Sequence, residues 1–341
     1  MNENIKKLGE LIKVSNKILL INHIRMDMDA FGSLCAMYDI LKQLGKEVRA
    51  INDETPLETY AFTGYNHIIE TNVILDSPVL NKEGARGWGV PELIISFDAA
   101  SLDQLGKSYT ENIEVFNNTE FYVIDHHITN PGFGKTNIIN TNSSSTCELT
   151  FDILKELNLV KYITPKIATS LMSGIYTDTN IFYNSNTTKN THIVAGELIE
   201  LGADFRKPYY EFYMKRTFEK SKLWGEILAN HMKNIENGKV VYACVKQNTF
   251  DKTNTDDRQL AGIISEFFAN IEGVEICFLS YEMGNGQIKT SFRCTEKYNV
   301  AAIAEKFAGG GHKQASGFNS DKSIEEVENE IIHELKIELN K

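Results

Sequence analysis

The sequence predicts an α/β protein: an N-terminal parallel sheet, a helical connector and a smaller α+β unit at the C-terminal end. Three observations carry this. As far as Asp178, short apolar β-prone runs alternate with amphipathic helix patterns, the signature of βαβ units. At Gly238 the pattern changes to strands and a hairpin. A chain of 341 residues is long enough for two cores. The expected divisions are residues 1–190, 191–236 and 237–341.

The elements follow in order. Lys17 to Asn22 is an apolar strand; Leu34, Met37, Tyr38 and Leu41 then mark one face of a helix over Ser33–Leu44, which Gly45 stops. Glu47 to Ile51 is the next strand. Leu57 to Leu80 mixes helix with loop, and Gly84 to Pro91 is turn-rich. Buried-type strands follow at Glu92–Phe97 and at Glu120–Asp125, the second leading into a Gly/Asn/Thr-rich loop to about Asn142. Ser145 and Glu148 form a capping-box pattern for a helix to about Leu157, and Pro165 opens another at its favoured first position. Asn190–Leu201 and a long aromatic helix over Phe205–Lys233 form the connector. Beyond it, strands are expected at Val240–Val245, Val274–Tyr281 and Gln287–Arg293, with Gly284-Asn285-Gly286 as the tight turn. Helices are expected over Asp257–Asn270, Val300–Phe307 and Ser323–Leu339.

Composition narrows the function classes. The formal charge of −11 argues against coating long nucleic acid, whose binders oppose phosphate with Lys and Arg. It is compatible with a small phosphate substrate and with carboxylates neutralised by bound cations. No apolar run approaches the length of a membrane span, and Met1-Asn2-Glu3-Asn4 does not open a signal peptide. The five scattered cysteines make no C-x-x-C pair and read as reduced thiols in the cytoplasm.

Four apolar elements end in groups that bind metals. The first strand runs into His23-Ile24-Arg25-Met26-Asp27-Met28-Asp29. The strand from Glu92 ends in Asp98, and that from Glu120 in Asp125-His126-His127. The helix from Pro165 carries Asp178 on its otherwise apolar face. Each has an ordinary structural reading: Asp27 and Asp29 as helix caps, Asp98 as a turn residue, the histidines as loop residues, Asp178 as a solvent-facing helix end. Taken together they point to one crevice, because neighbouring strand ends of a parallel sheet converge. Two imidazoles and four carboxylates suit two divalent cations, with Mn²⁺ a natural choice for mixed N/O ligands.

A second motif is Gly309-Gly310-Gly311-His312, preceded by Ser291-Phe292-Arg293. It lacks the P-loop spacing. Glycines allow close backbone approach to a ligand, and Arg293 and His312 could hold phosphate or stack on a base. Phe182 and Tyr183 are core or stacking aromatics on sequence alone.

In this order, H-x-x-x-D-x-D, a lone strand-end Asp, D-H-H and a helical Asp178 resemble the four metal motifs of the DHH phosphoesterases. The run from Gly309 to Gly317 resembles the glycine signature of their companion DHHA1 domain. Length and layout are most similar to the stand-alone bacterial oligoribonuclease and pAp phosphatase branch. Met26 and Met28 replace the usual Pro and Gly of the first motif, Asn180 a common Gly, and Ser316 the second Ala of an Ala pair.

The resemblance implies His23 and Asp27 on one metal, Asp29, His126 and Asp178 on the other, and Asp98 between them. His127 would face the scissile phosphate with Asp125 supporting it. Arg293, Gly310, Gly311, His312 and Ser316 would bind substrate on a shelf across a cleft from the metals. It further implies two divalent ions, expected to be Mn²⁺, activating a bridging hydroxide. Substrates would be short single-stranded oligoribonucleotides, linear dinucleotides (pApA, pGpG) and pAp, with no long duplex and no membrane partner. Two alternatives stand beside this: a cyclic-dinucleotide (c-di-AMP) phosphodiesterase, and an inactive nucleotide-binding regulator. The aromatics of 205–213 are open to interdomain packing or to a homodimer contact.

Overall fold

The computed structural model of the protein describes residues 2–75 and 88–339; the expectations for 57–80 and 84–91 fall partly outside them. The chain divides into two compact units, Met1–Lys215 and Arg216–Lys341. This division lies within the stretch read as a connector.

The first unit contains α1 (Asn2–Val14), β1 (Lys17–Asn22), α2 (Met28–Gln43), β2 (Glu47–Ile51), β3 (Ile69–Glu70), β4 (Leu93–Phe97), α3 (Gly106–Thr110), α4 (Ile113–Asn118), β5 (Glu120–Asp125), β6 (Thr136–Ile139), α5 (Thr146–Glu156), α6 (Pro165–Thr179), α7 (Lys189–Glu200) and α8 (Arg206–Tyr209). Its strands are parallel, in the order β3-β2-β1-β4-β5-β6. Side chains alternate between two apolar layers, as strand geometry requires. Ile18, Leu20, Ile95 and Ile124 pack with Phe31, Phe151 and Leu171. Leu19, Ile21, Ile94 and Val123 pack on the other face with Val115 and Phe116. Burial on both faces explains why these strands read as continuous apolar runs.

The helix starts have local causes. Asp27 caps α2 by accepting from the N–H groups of Asp29 and Ala30, so the helix begins before Ser33, where periodicity alone placed it. Ser145 caps α5 by accepting from Glu148 N–H, but the expected reciprocal bond does not form. The Glu148 carboxylate turns to Ser144 instead. Thr164 caps α6, with Pro165 in its first turn. Twelve residues of α2 are buried, making it a core helix. Its close approach to α6 depends on Gly32, where a Cβ would stand 2.5 Å from the Ser170 carbonyl oxygen. Part of the expected loop after His127 is the edge strand β6.

The second unit contains α9 (Phe218–Glu226), β7 (Met232–Ile235), β8 (Val240–Val245), α10 (Gln247–Thr253), α11 (Ile263–Glu266), β9 (Ile276–Glu282), β10 (Ile288–Cys294), α12 (Val300–Glu305), β11 (Gly310–His312), β12 (Ala315–Ser320) and α13 (Ile324–Leu339). The sheet order is β11-β12-β10-β9-β8-β7. β8 and β9 run parallel and the other neighbours antiparallel. Val327, Ile331 and Leu335 of α13 pack on Tyr242, Phe278 and Phe292 of the sheet. The β9–β10 turn sits at the expected glycines, with Gly286 at φ 85° donating to Met283 O at 2.9 Å.

Two expected helices are broken. After α8 a π-type turn closes from Lys215 N–H to Tyr210 O at 2.7 Å; Lys215 is extended, and Thr217 caps α9 anew. The stretch over 257–270 is three short helical pieces, interrupted where Gly262 adopts φ 96°. The glycine motif forms one arm of a hairpin, in which Gly310, Gly311 and His312 pair with Gly317, Ser316 and Ala315.

Candidate metal centre

The strand order of the first sheet is that of a doubly wound fold, whose ligands bind beyond the carboxyl ends of the strands where the order reverses, here between β1 and β4. Register brings the strand ends together: Asn22 pairs with Phe97, and Asp98 N–H continues the ladder to Ile124 O at 2.9 Å. His23, Asp98 and His126 therefore emerge side by side. Asp98 adopts φ 58°, a left-handed conformation costing a non-glycine residue ~1 kcal/mol or more, which turns the chain sharply just past β4.

His23 Nε2 lies 3.7 Å from Asp27 Oδ1 and 3.6 Å from Asp98 Oδ2. His126 Nε2 lies 3.6 Å from Asp98 Oδ1, 3.2 Å from Asp178 Oδ2 and 3.9 Å from Asp29 Oδ2. Among the described residues, three sets each bring their possible ligating atoms within 4.8 Å of one another: His23, Asp27 and Asp98; Asp29, His126 and Asp178; Asp98, His126 and His127. Asp98 and His126 are each shared by two sets. His127 Nδ1 is 2.7 Å from Asp125 Oδ1, and Asp125, fully buried, also accepts from Asn130 Nδ2 at 2.6 Å. Asp125 belongs to none of the three sets and instead orients His127. Asp27 serves both as the α2 cap and as a member of the cluster.

The electrostatics mark a site short of positive charge. Burial, with the charges of Asp98 and Asp178 added, holds the Asp29 carboxyl well above the usual range. Asp98 is pushed up to about 6 by burial, with the neighbouring carboxylates adding to it against the relief from His23. Burial alone would lower His23 and His126, but their carboxylate partners outweigh it and raise them to about 11 and about 10. Such a set of imidazoles and acidic oxygens fits hard or borderline divalent cations, whose charge would relieve the repulsion.

Several residues around the cluster were not evident from the sequence. Asp29 accepts from the N–H groups of Thr146 (2.6 Å) and Cys147 (2.8 Å) at the start of α5. Thr146 Oγ1 donates to Asp98 Oδ1 at 2.8 Å, and the Ser143 carbonyl faces His126 Nδ1 at 3.4 Å. Asn186 Nδ2 donates to Ser144 O at 2.8 Å and to Asp178 O at 3.3 Å. The capping pattern at Ser145 was the available signal, since it fixes where helix amides point. Phe182 packs edge-on against Tyr176 and beside His192, while Tyr183 is exposed.

In the second unit Ser291, Arg293, Gly309, Gly310, Gly311 and Ser316 line a recess of about 580 Å³. His312 continues β11 from these glycines and is exposed. The Ser316 hydroxyl is already committed, donating to Val300 O at 2.7 Å.

Residues 17–175 match the DHH family, N-terminal domain, and residues 228–341 match the DHHA1 domain. The chain is 28% identical to the bifunctional oligoribonuclease and PAP phosphatase NrnA of Thermus thermophilus, over 98% of this chain and 95% of that protein. It is 25% identical to a membrane protein–large ribosomal subunit bL9 fusion protein of Onion yellows phytoplasma over 99% of this chain, but spans 39% of that relative's length. An exopolyphosphatase-related protein from Bacteroides fragilis shares the fold, with a TM-score of 0.81 at 21% identity over 98% of this chain and 96% of that one. With a DHH domain followed by a DHHA1 domain, the chain belongs to the DHH family.

Proposed function

We propose that the protein is a metal-dependent phosphoesterase that hydrolyses short oligoribonucleotides, linear dinucleotides and 3′-phosphoadenosine 5′-phosphate. The observation that carries this is the gathering of His23, Asp27, Asp29, Asp98, His126 and Asp178 into overlapping sets. The similarity to proteins named oligoribonuclease and PAP phosphatase supports the substrate class.

His23, Asp27 and Asp98 would hold one divalent ion, Mn²⁺ by donor type, and Asp29, His126, Asp178 and Asp98 a second. Bound ions of this kind supply Lewis acidity and lower the pKa of water enough for attack at neutral pH. The chain's own residues do the rest. Asp125 keeps a proton on His127 Nδ1, which turns Nε2 toward the substrate to contact a phosphoryl oxygen. Arg293 and the amides of β11 would hold a phosphate or ribose of the nucleotide. Among the described residues no helix is long and apolar enough to cross a membrane. The free cysteines support a cytoplasmic setting.

The test is product analysis over time on labelled RNAs from dinucleotide to decamer length, with pAp and cyclic dinucleotides alongside and Mn²⁺ present. Linear dinucleotides and pAp should be turned over fastest, and Asp98→Asn should abolish turnover. Full Mn²⁺-dependent activity in Asp98→Asn would refute the assignment, and faster cleavage of cyclic substrates would redirect it.

A further inference from the structure

We propose that Glu148, remote in sequence from every predicted ligand, is a positioning residue for the metal centre, locking the turn of residues 143–147 that braces the cluster. The inference rests on the metal-binding reading above. Glu148 is 1% exposed. Its Oε2 accepts from Ser144 N–H (3.2 Å), Ser144 Oγ (2.5 Å) and Thr191 Oγ1 (2.8 Å), and its Oε1 from Asn190 Nδ2 (2.8 Å). Burying a carboxylate is costly unless its lone pairs are used. Here neutral donors from two segments use them, one the turn and the other α7. A simple helix cap would need only a bond back to Ser145; Glu148 reaches one residue further and across to a second helix.

What it holds is the brace of the site. The turn faces His126 through the Ser143 carbonyl, Asp29 through the N–H groups of Thr146 and Cys147, and Asp98 through the Thr146 hydroxyl. Asn186 links Ser144 to the backbone of Asp178. One turn therefore touches, directly or through one side chain, both residues shared between sets and both other members of the Asp29 set. Groups that orient ligands in this way tune metal affinity without binding metal themselves. Loss of Glu148 frees Ser144, lets the turn drift and misaligns several donors at once.

The experiment is calorimetric titration of Mn²⁺ into the full chain, for wild type, Glu148→Gln, Thr191→Val and the core control Ile153→Val on α5, with unfolding temperature and activity at low and saturating Mn²⁺. Glu148→Gln should weaken Mn²⁺ binding on the order of 10-fold or more. Thr191→Val should weaken it less but in the same direction, and the half-saturating Mn²⁺ concentration should move more than kcat. Ile153→Val should lower the unfolding temperature and leave Mn²⁺ affinity unchanged. Folded Glu148→Gln and Thr191→Val proteins with wild-type affinity would overturn the proposal, as would an equal loss of affinity in Ile153→Val. A wild-type protein that takes up no Mn²⁺ would overturn the metal-binding reading itself.

Discussion

The Asp125 carboxylate stands 2.7 Å from Nδ1 of His127, and this contact sets which ring nitrogen faces outward. That hydrogen bond is the main reason His127 is held above its ordinary pKa, against an opposing effect of burial. The same carboxylate accepts from the backbone N–H groups of His126 and His127, at 2.8 and 3.2 Å, so it also fixes the chain after β5. Asp125→Asn is expected to lower kcat by ~10- to 100-fold. Titrating Mn²⁺ in the same assays should show its half-saturating concentration nearly unchanged, because Asp125 lies outside the three candidate sets. Asn130→Ala should act in the same direction more weakly, since Asn130 holds the other carboxylate oxygen.

Charge crowding predicts how the protein responds to metal removal. Asp98 is 1% exposed and shares its surroundings with Asp27, Asp29 and Asp178. Without cations, the folded state bears the repulsion among these carboxylates. Asp98→Asn should therefore unfold at the same temperature as wild type or higher in chelator. On adding Mn²⁺ to about 100 times its dissociation constant, wild type should gain about 2.7 kcal/mol. Asp98→Asn should gain far less. Differential scanning calorimetry of both proteins with and without Mn²⁺ checks this, and equal stabilisation of the two would place the metal elsewhere.

How much of this could be read in the sequence depended on the range of the interactions. β1, β4 and β5 were evident because burial on both faces makes a strand apolar throughout, and His23, Asp98 and Asp125 stand out as abrupt polar ends. The parallel topology then brought those ends together. The brace at Thr146 and Cys147 was hidden because it acts through backbone amides, which carry no residue signature. β6 and β11 were missed because short edge strands bury little and are specified by their partners. The break at Lys215–Thr217 was missed because the aromatics of 205–213 satisfy helical spacing, although Phe212 is spent packing on Tyr60 and Phe62.

The approach of α6 to the cluster rests on a missing side chain. A Cβ at Gly174 would lie 2.8 Å from Asp29 Oδ1 and would also collide with Cys147 Sγ. Gly174→Ala should destabilise by ~1–3 kcal/mol through overpacking. It should also weaken Mn²⁺ binding, because Asp29 must shift. Gly196 on α7 is the contrast, with open space around its Cβ position. Gly196→Ala should be neutral or stabilise by up to ~1 kcal/mol through helix propensity. Thermal melts and Mn²⁺ titrations of the two variants should separate cleanly.

The glycines of β11 divide into one that the fold requires and one that it does not. Gly311 adopts φ 139°, and a Cβ there would lie 2.6 Å from Ala315 O. Gly311→Ala should therefore disrupt the β11–β12 hairpin and lower the unfolding temperature. A Cβ on Gly310 meets nothing within 4 Å, so packing gives no reason for that glycine. If substrate approaches the strand closely, Gly310→Ala should leave the unfolding temperature unchanged yet raise KM for a linear dinucleotide. Arg293→Ala, which removes a charged donor from the same recess, should raise KM about 10-fold, the equivalent of one charge-assisted hydrogen bond to phosphate. An unchanged KM in both variants would move nucleotide binding away from this recess.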